Sequence, residues 1–106
     1  MSRAEEDGKP WRFVTNHTQV LLCIARDQNI RTREIAEQVG ITERAAQRIV
    51  SDLADARFIS VERVGRRNRY VIDREAMMRH PAQAGHEIGD LLELLARDPA
   101  PAEPRT

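Results

Sequence analysis

A chain of 106 residues is the size of one domain with a single core. Hydrophobic residues make up 41% of it but only four residues are aromatic, so the core has to be aliphatic and mostly helical. Cys23 is the lone cysteine, which excludes an intramolecular disulfide; no apolar run is long enough for a membrane span and no signal peptide is visible, so a reducing cytoplasm is the expected location.

The zero net charge is an average over unlike segments. Residues 31–72 carry nine basic and six acidic groups, whereas residues 73–106 carry four and seven. A basic middle suits a nucleic-acid partner, and an acidic end suits an assembly element. All the basic residues but Lys9 are arginine, a side chain that forks onto phosphates and guanine edges. The frequent Ala residues also fit a GC-rich bacterial genome, which alone would favour arginine.

Residues 1–10 are polar and expected to be disordered. Trp11, Phe13 and Val14 form a small apolar cluster before a first helix. Asn16 is placed to cap that helix and Gln19 to close a capping box. Val20, Leu21 and Ile24 share its inner face, and Asn29 can take a left-handed turn after it. Ile30 and Arg31 leave room for a stub of strand at most. Thr32 can cap a second helix with Ile35, Ala36 and Val39 facing inward. Gly40 supplies the positive φ that ends it, Ile41 packs back, and Thr42 caps a third helix. That helix buries Ala46, Ile49, Val50 and Leu53.

A hairpin pattern follows, with strands near residues 60–64 and 69–72 around a tip at 65–68. Asp73 is placed to cap a short helix that His80-Pro81 would end. A last helix near residues 85–97 carries Ile88, Leu91, Leu92 and Leu95 at helical spacing. The tail 98–106 is expected to be disordered. Residues 11–97 thus read as one mainly α domain with a small β-hairpin wing and an added C-terminal helix.

The spacing Ile35-Ala36, Val39-Gly40-Ile41, Ala46 and Ile49 resembles the bacterial helix-turn-helix signature. Ala36 is small where two helices cross, Gly40 turns the chain, and the other residues form a shared core. With the arginine-rich hairpin after it, the chain resembles winged helix-turn-helix regulators, in particular compact MarR- and ArsR-like proteins of actinobacteria, over roughly residues 14–95. Arg57 departs from that pattern, which usually has glycine after the third helix; a left-handed arginine costs on the order of 1 kcal/mol.

Subtracting the inner stripe leaves Thr42, Glu43, Arg44, Ala45, Gln47, Arg48 and Ser51 on the outside of the third helix. In such motifs this face enters the major groove of double-stranded DNA. Arg44 suits a guanine, Gln47 an adenine edge, Ala45 a thymine methyl and Glu43 a cytosine. Arg31, Thr32, Thr42 and Arg48 suit phosphates. At the wing, Arg63, Arg66, Arg67, Asn68 and Arg69 suit a neighbouring minor groove or its backbone.

The leucine face of the last helix is wider than one small domain needs. Ile88, Leu91, Leu92, Leu94 and Leu95, joined by Trp11 and Phe13, are therefore the expected homodimer interface. The resulting expectation is a dimeric repressor on a near-palindrome, with any small-molecule effector unidentified. Two alternatives are carried: a winged helix that binds a protein partner, and a metal-sensing repressor using His80, His86, Asp90 or Cys23. Against the latter, no Cys-x-Cys or Cys-x-x-Cys is present, His17 fits a capping role, and Cys23 fits a buried inert thiol. No metal or cofactor is expected, and no nucleophile–base pair or phosphate-cradling glycine loop suggests an enzyme.

Overall fold

A computed structural model describes residues 13–96 of the chain. The two terminal segments expected to be disordered, and Trp11 with them, lie outside the described residues. Three helices come first: α1 (Asn16–Arg26), α2 (Thr32–Val39) and α3 (Glu43–Asp55). The cap of α1 is Thr15, one residue before the expected Asn16, and its hydroxyl accepts from the backbone N–H of Thr18 at 3.3 Å. After α1 the turn is made by Asp27, whose Oδ1 accepts from the N–H of Asn29 at 3.0 Å. Asn29 is therefore spared the left-handed conformation expected of it; among described non-glycine residues Arg57 alone has positive φ.

Arg31, not Thr32, occupies the cap position of α2, and Glu34 Oε1 accepts from its backbone N–H at 2.9 Å. Arginine has no side-chain acceptor, so the residue itself caps nothing in return. Gly40 ends α2 at φ 85°, and Thr42 caps α3 by accepting from the Ala45 N–H at 3.0 Å. The exit of α3 closes with Arg57 N–H on the Ala54 carbonyl and Phe58 N–H on the Leu53 carbonyl, both at 3.0 Å. That is the paired bonding of a Schellman turn with Arg57, at φ 69°, in the place glycine prefers.

The three helices pack around an aliphatic core. Val20, Ile24, Ile35, Ala46 and Leu92 have no exposure at all. Each large member stabilises the fold by roughly 1.5–3 kcal/mol through loss of contact with water. Ile30, Ile59 and Tyr70 complete the cluster from outside the helices.

Strands β1 (Ile59–Val64) and β2 (Arg67–Ile72) pair antiparallel, with Val64 opposite Arg67. The tip is therefore Gly65-Arg66 alone, and β2 starts two residues earlier than the sequence suggested. Gly65 at φ 64° supplies the positive first position that lets two residues reverse the chain. Alternation puts Ile59 and Tyr70 on the core and Ser60, Glu62 and Val64 in solvent. No strand forms at residues 30–31; just before them, the Gln28 carbonyl accepts a backbone bond from the Tyr70 N–H of β2 at 2.9 Å.

The helix expected after Asp73 does not form. Ala76, Met77 and Met78 stand side by side, so they give a helix no single apolar face. Asp73 instead caps a turn, accepting from the Glu75 N–H at 3.1 Å. The chain runs out and back through a bridge between Met77 and Glu87, with a short 3-10 helix (Pro81–Gln83) between. Helix α4 (Ile88–Ala96) begins three residues later than expected, because Gly85 turns at φ 94° and Glu87 is held in the bridge to Met77. It lies against α1.

Candidate nucleic-acid interface

Helix α3 presents the face that the sequence singled out. Thr42, Glu43, Arg44, Gln47, Arg48 and Ser51 are exposed, and Ala45 is half-buried. Thr42, Arg44, Ala45 and Arg48 line a shallow groove of about 350 Å³. Ile49, Leu53 and Ala46 hold the opposite face in the core, so the outer face has a fixed orientation. His17 adds a brace, with Nε2 at 2.9 Å from Asp52 Oδ2. That bond crosses between α1 and α3 and replaces the capping role expected of His17.

The wing is fastened more than the sequence implied. Arg67 Nη2 donates to the Asn29 carbonyl at 3.2 Å, and Arg69 Nη2 donates to Gln28 Oε1 at 3.3 Å. Arg63 braces the tip, with Nε to the Gly65 carbonyl at 3.3 Å and Nη1 to Asn68 Oδ1 at 3.5 Å. Arg66 projects from the tip with no hydrogen bond or ion pair to any described residue. Sequence reasoning gave Asn29 only a turn role and did not single out Gln28. They meet β2 across about forty residues of chain, and no local pattern announces such a contact.

The two groups expected to touch the DNA backbone are brought together. Arg31 and Thr32 from the start of α2, and Arg66, Arg67 and Asn68 from the wing, line one cleft of about 300 Å³ with Asn29, Ile30 and Tyr70. No carboxylate lines it. Thr32 with Arg31 at the cleft, and Thr42 with Arg44 and Arg48 on the outer face of α3, lie on one continuous run of chain, residues 31–48.

The residues expected at a dimer interface are not all free for one. Ile88 and Leu92 are buried within this chain, where α4 packs on α1; their side chains belong to its own core. Leu91 and Leu95 are half-buried, Leu94 is 60% exposed and Phe13 is 89% exposed. The metal candidates are dispersed. His86 precedes α4, so it does not share a helix face with Asp90, whose Oδ2 accepts from the Glu87 N–H at 3.3 Å. Among the described residues no three of His, Cys, Asp and Glu gather where they would hold a metal ion. Cys23 is buried, and that burial pushes its thiol above the ordinary range. Among the described residues no helix is long and apolar enough to cross a membrane.

Comparison with known proteins agrees with this geometry. The chain is 30% identical over 73 residues to an uncharacterised protein of Methanocaldococcus jannaschii; the similarity covers 68% of this chain and 16% of that protein. Residues 15–60, from the cap of α1 into β1, match the family described as winged helix-turn-helix DNA-binding. The fold is a winged helix-turn-helix, and the family it matches is one of DNA-binding domains.

Proposed function

We propose that the chain is a sequence-specific regulator of transcription that binds double-stranded DNA, acting as a dimeric repressor on a near-palindromic operator. The observation that carries this reading is the outer face of α3. It holds Arg44, Gln47 and Arg48 exposed on a helix whose other side is locked into the core, and the match to DNA-binding domains supports it. Arg44 takes a guanine edge and Gln47 an adenine edge, while Ala45 meets a thymine methyl and Glu43 a cytosine amine. Thr42, Arg48 and Ser51 hold the backbone beside the major groove, and the wing meets the backbone next to it.

The helix-turn-helix spacing further suggests the compact MarR- and ArsR-like kind. In a dimer, Leu94 and Phe13, with Leu91 and Leu95 beside Leu94, form the shared face. Two copies of α3 then address half-sites about 34–36 Å apart. Because the chain spans only 16% of the archaeal protein, these roles are argued from its own residues.

The deciding experiment measures duplex binding across a salt series and maps bound sites across the genome. Affinity for duplex should fall steeply with salt as phosphate contacts release counterions. Binding to a protein that ignores salt, with no duplex affinity even at low salt, would instead make this an interaction module. For repression, a reporter under the bound promoter should gain expression when the gene is deleted; loss of expression refutes it.

A further inference from the structure

Three arginines from two distant parts of the chain surround one cleft. Arg31 stands at the start of α2, Arg66 and Arg67 at the wing tip, and the buried side chains of Ile30 and Tyr70 line the space between. The walls are held at a fixed separation by three bonds from β2 to residues 28–29: the Tyr70 N–H and the Arg69 guanidinium on Gln28, and the Arg67 guanidinium on the Asn29 carbonyl. The one carboxylate close by, Glu34, is engaged on the Arg31 backbone N–H at 2.9 Å and does not line the cleft; like charges facing one space repel, and an anion placed between them relieves that repulsion. Guanidinium groups pair best with planar or tetrahedral oxyanions through two donors at once. Asn68 adds a side-chain amide, and Thr32 a hydroxyl, on the same cleft.

The geometry points to a seat for a single phosphate group in this cleft, gripped by Arg31 from one side and Arg66 from the other. Arg67 and Arg69 fasten the wing and do not grip. On the DNA-binding reading, on which this rests, the occupant is one backbone phosphodiester. The wing and the start of α2 then share one phosphate, and the wing does not reach out to a separate minor groove. A free phosphate ion offers the same oxygens and occupies the same seat more weakly.

Two measurements on the full chain test this. The first is affinity for a mixed-sequence duplex at low salt, by fluorescence anisotropy, for the unaltered chain, Arg31→Ala, Arg66→Ala and the double variant. Each single change should weaken binding about tenfold, as for a charged contact. The double variant should lose far less than the product of the two, because the second arginine is removed from a grip already opened. The second is titration of the ¹⁵N-labelled chain with inorganic phosphate. The amides of Thr32, Arg66 and Asn68 should move together along one saturation curve, and stay still in the double variant. Both arginines are exposed, and the dispersion of the same spectra reports whether each variant is folded.

If the unaltered chain binds duplex but the losses multiply and phosphate moves neither group of amides, the shared seat is overturned while DNA binding stands. If phosphate moves both groups along one curve but no duplex binds at any salt, the seat stands and the DNA-binding reading fails.

Discussion

The guanidinium of Arg79 donates a 2.7 Å hydrogen bond to the carbonyl of Ala56, at the end of α3. The same guanidinium lies 4.8 Å from the centre of the Phe58 ring. A residue of the loop before α4 thus satisfies a helix-end carbonyl and stacks on the first residue after the turn. Arg79→Ala should lower stability by about 1 kcal/mol, the size of one charged hydrogen bond plus an exposed cation–π contact, discounted for solvent. Urea unfolding of the two proteins measures it, and an unchanged midpoint would show that the contact contributes nothing.

Arg57 carries the opposite sign. It sits at φ 69°, where a side chain crowds the following carbonyl. Arg57→Gly should therefore stabilise the chain by about 1 kcal/mol, less the extra freedom glycine has when unfolded. A rise in the thermal midpoint is the expected result. A fall would mean that the Arg57 side chain contributes more than its backbone strain costs.

On α3, Arg44→Ala and Arg48→Ala should separate base reading from backbone holding. The first should cost about 1–3 kcal/mol of discrimination between the preferred site and a scrambled one. The second should weaken both sites alike and reduce the salt slope by about one unit. Competition binding on the two duplexes distinguishes them, and identical behaviour of the two variants would contradict the roles given to these residues.

Gly89 lies inside α4, where a glycine is normally a weakness. A methyl group added there would come within 2.8 Å of the Arg74 carbonyl oxygen, and the Gly89 N–H bonds that same carbonyl at 2.8 Å. Gly89→Ala should destabilise by roughly 1–3 kcal/mol through overpacking, outweighing the better helix propensity of alanine. Denaturation of the variant at a higher urea midpoint than the parent would rule this out.

Cys23 gives the chain an alkaline limit. Burial raises its thiol above the unfolded value, with nearby Arg26 opposing part of the shift. A raised acid pKa favours the neutral thiol in the folded state, so the contribution is whole below the unfolded pKa. It is lost as pH rises past about 8.5, where the unfolded chain ionises first. Stability measured from pH 7 to 10 should decline, and Cys23→Ala should decline less steeply. Parallel curves would remove the thiol from the account.

The helices were legible because their apolar residues recur at three and four. Ile35, Ala36, Ala46, Ile49 and Leu53 could be placed inside from spacing alone, and the outer face of α3 followed by subtraction. Gly40 and Thr42 were legible as well, since a left-handed stop and a hydroxyl cap each need a particular residue type. What escaped was contact between distant parts. Nothing near His17 points to Asp52, and nothing near Arg69 points to Gln28. The tip was read too long because Gly65-Arg66-Arg67-Asn68 is polar throughout, and polarity does not say where pairing resumes. In the last helix the spacing of Ile88 and Leu92 was read correctly as one face. Spacing alone does not tell an inner surface of one chain from a surface shared by two.

The three bonds that fasten β2 to residues 28–29 have a consequence for how tightly a ligand is held. A loose hairpin surrenders conformational freedom when it docks, and each immobilised long side chain costs about 0.5–1.5 kcal/mol. Arg63, Arg67 and Arg69 are already held in the free chain, so they forfeit little on docking. The surface is preorganised: Arg66 is the wing arginine whose ordering has still to occur. Its amide and side-chain dynamics are where binding should leave its largest change in motion.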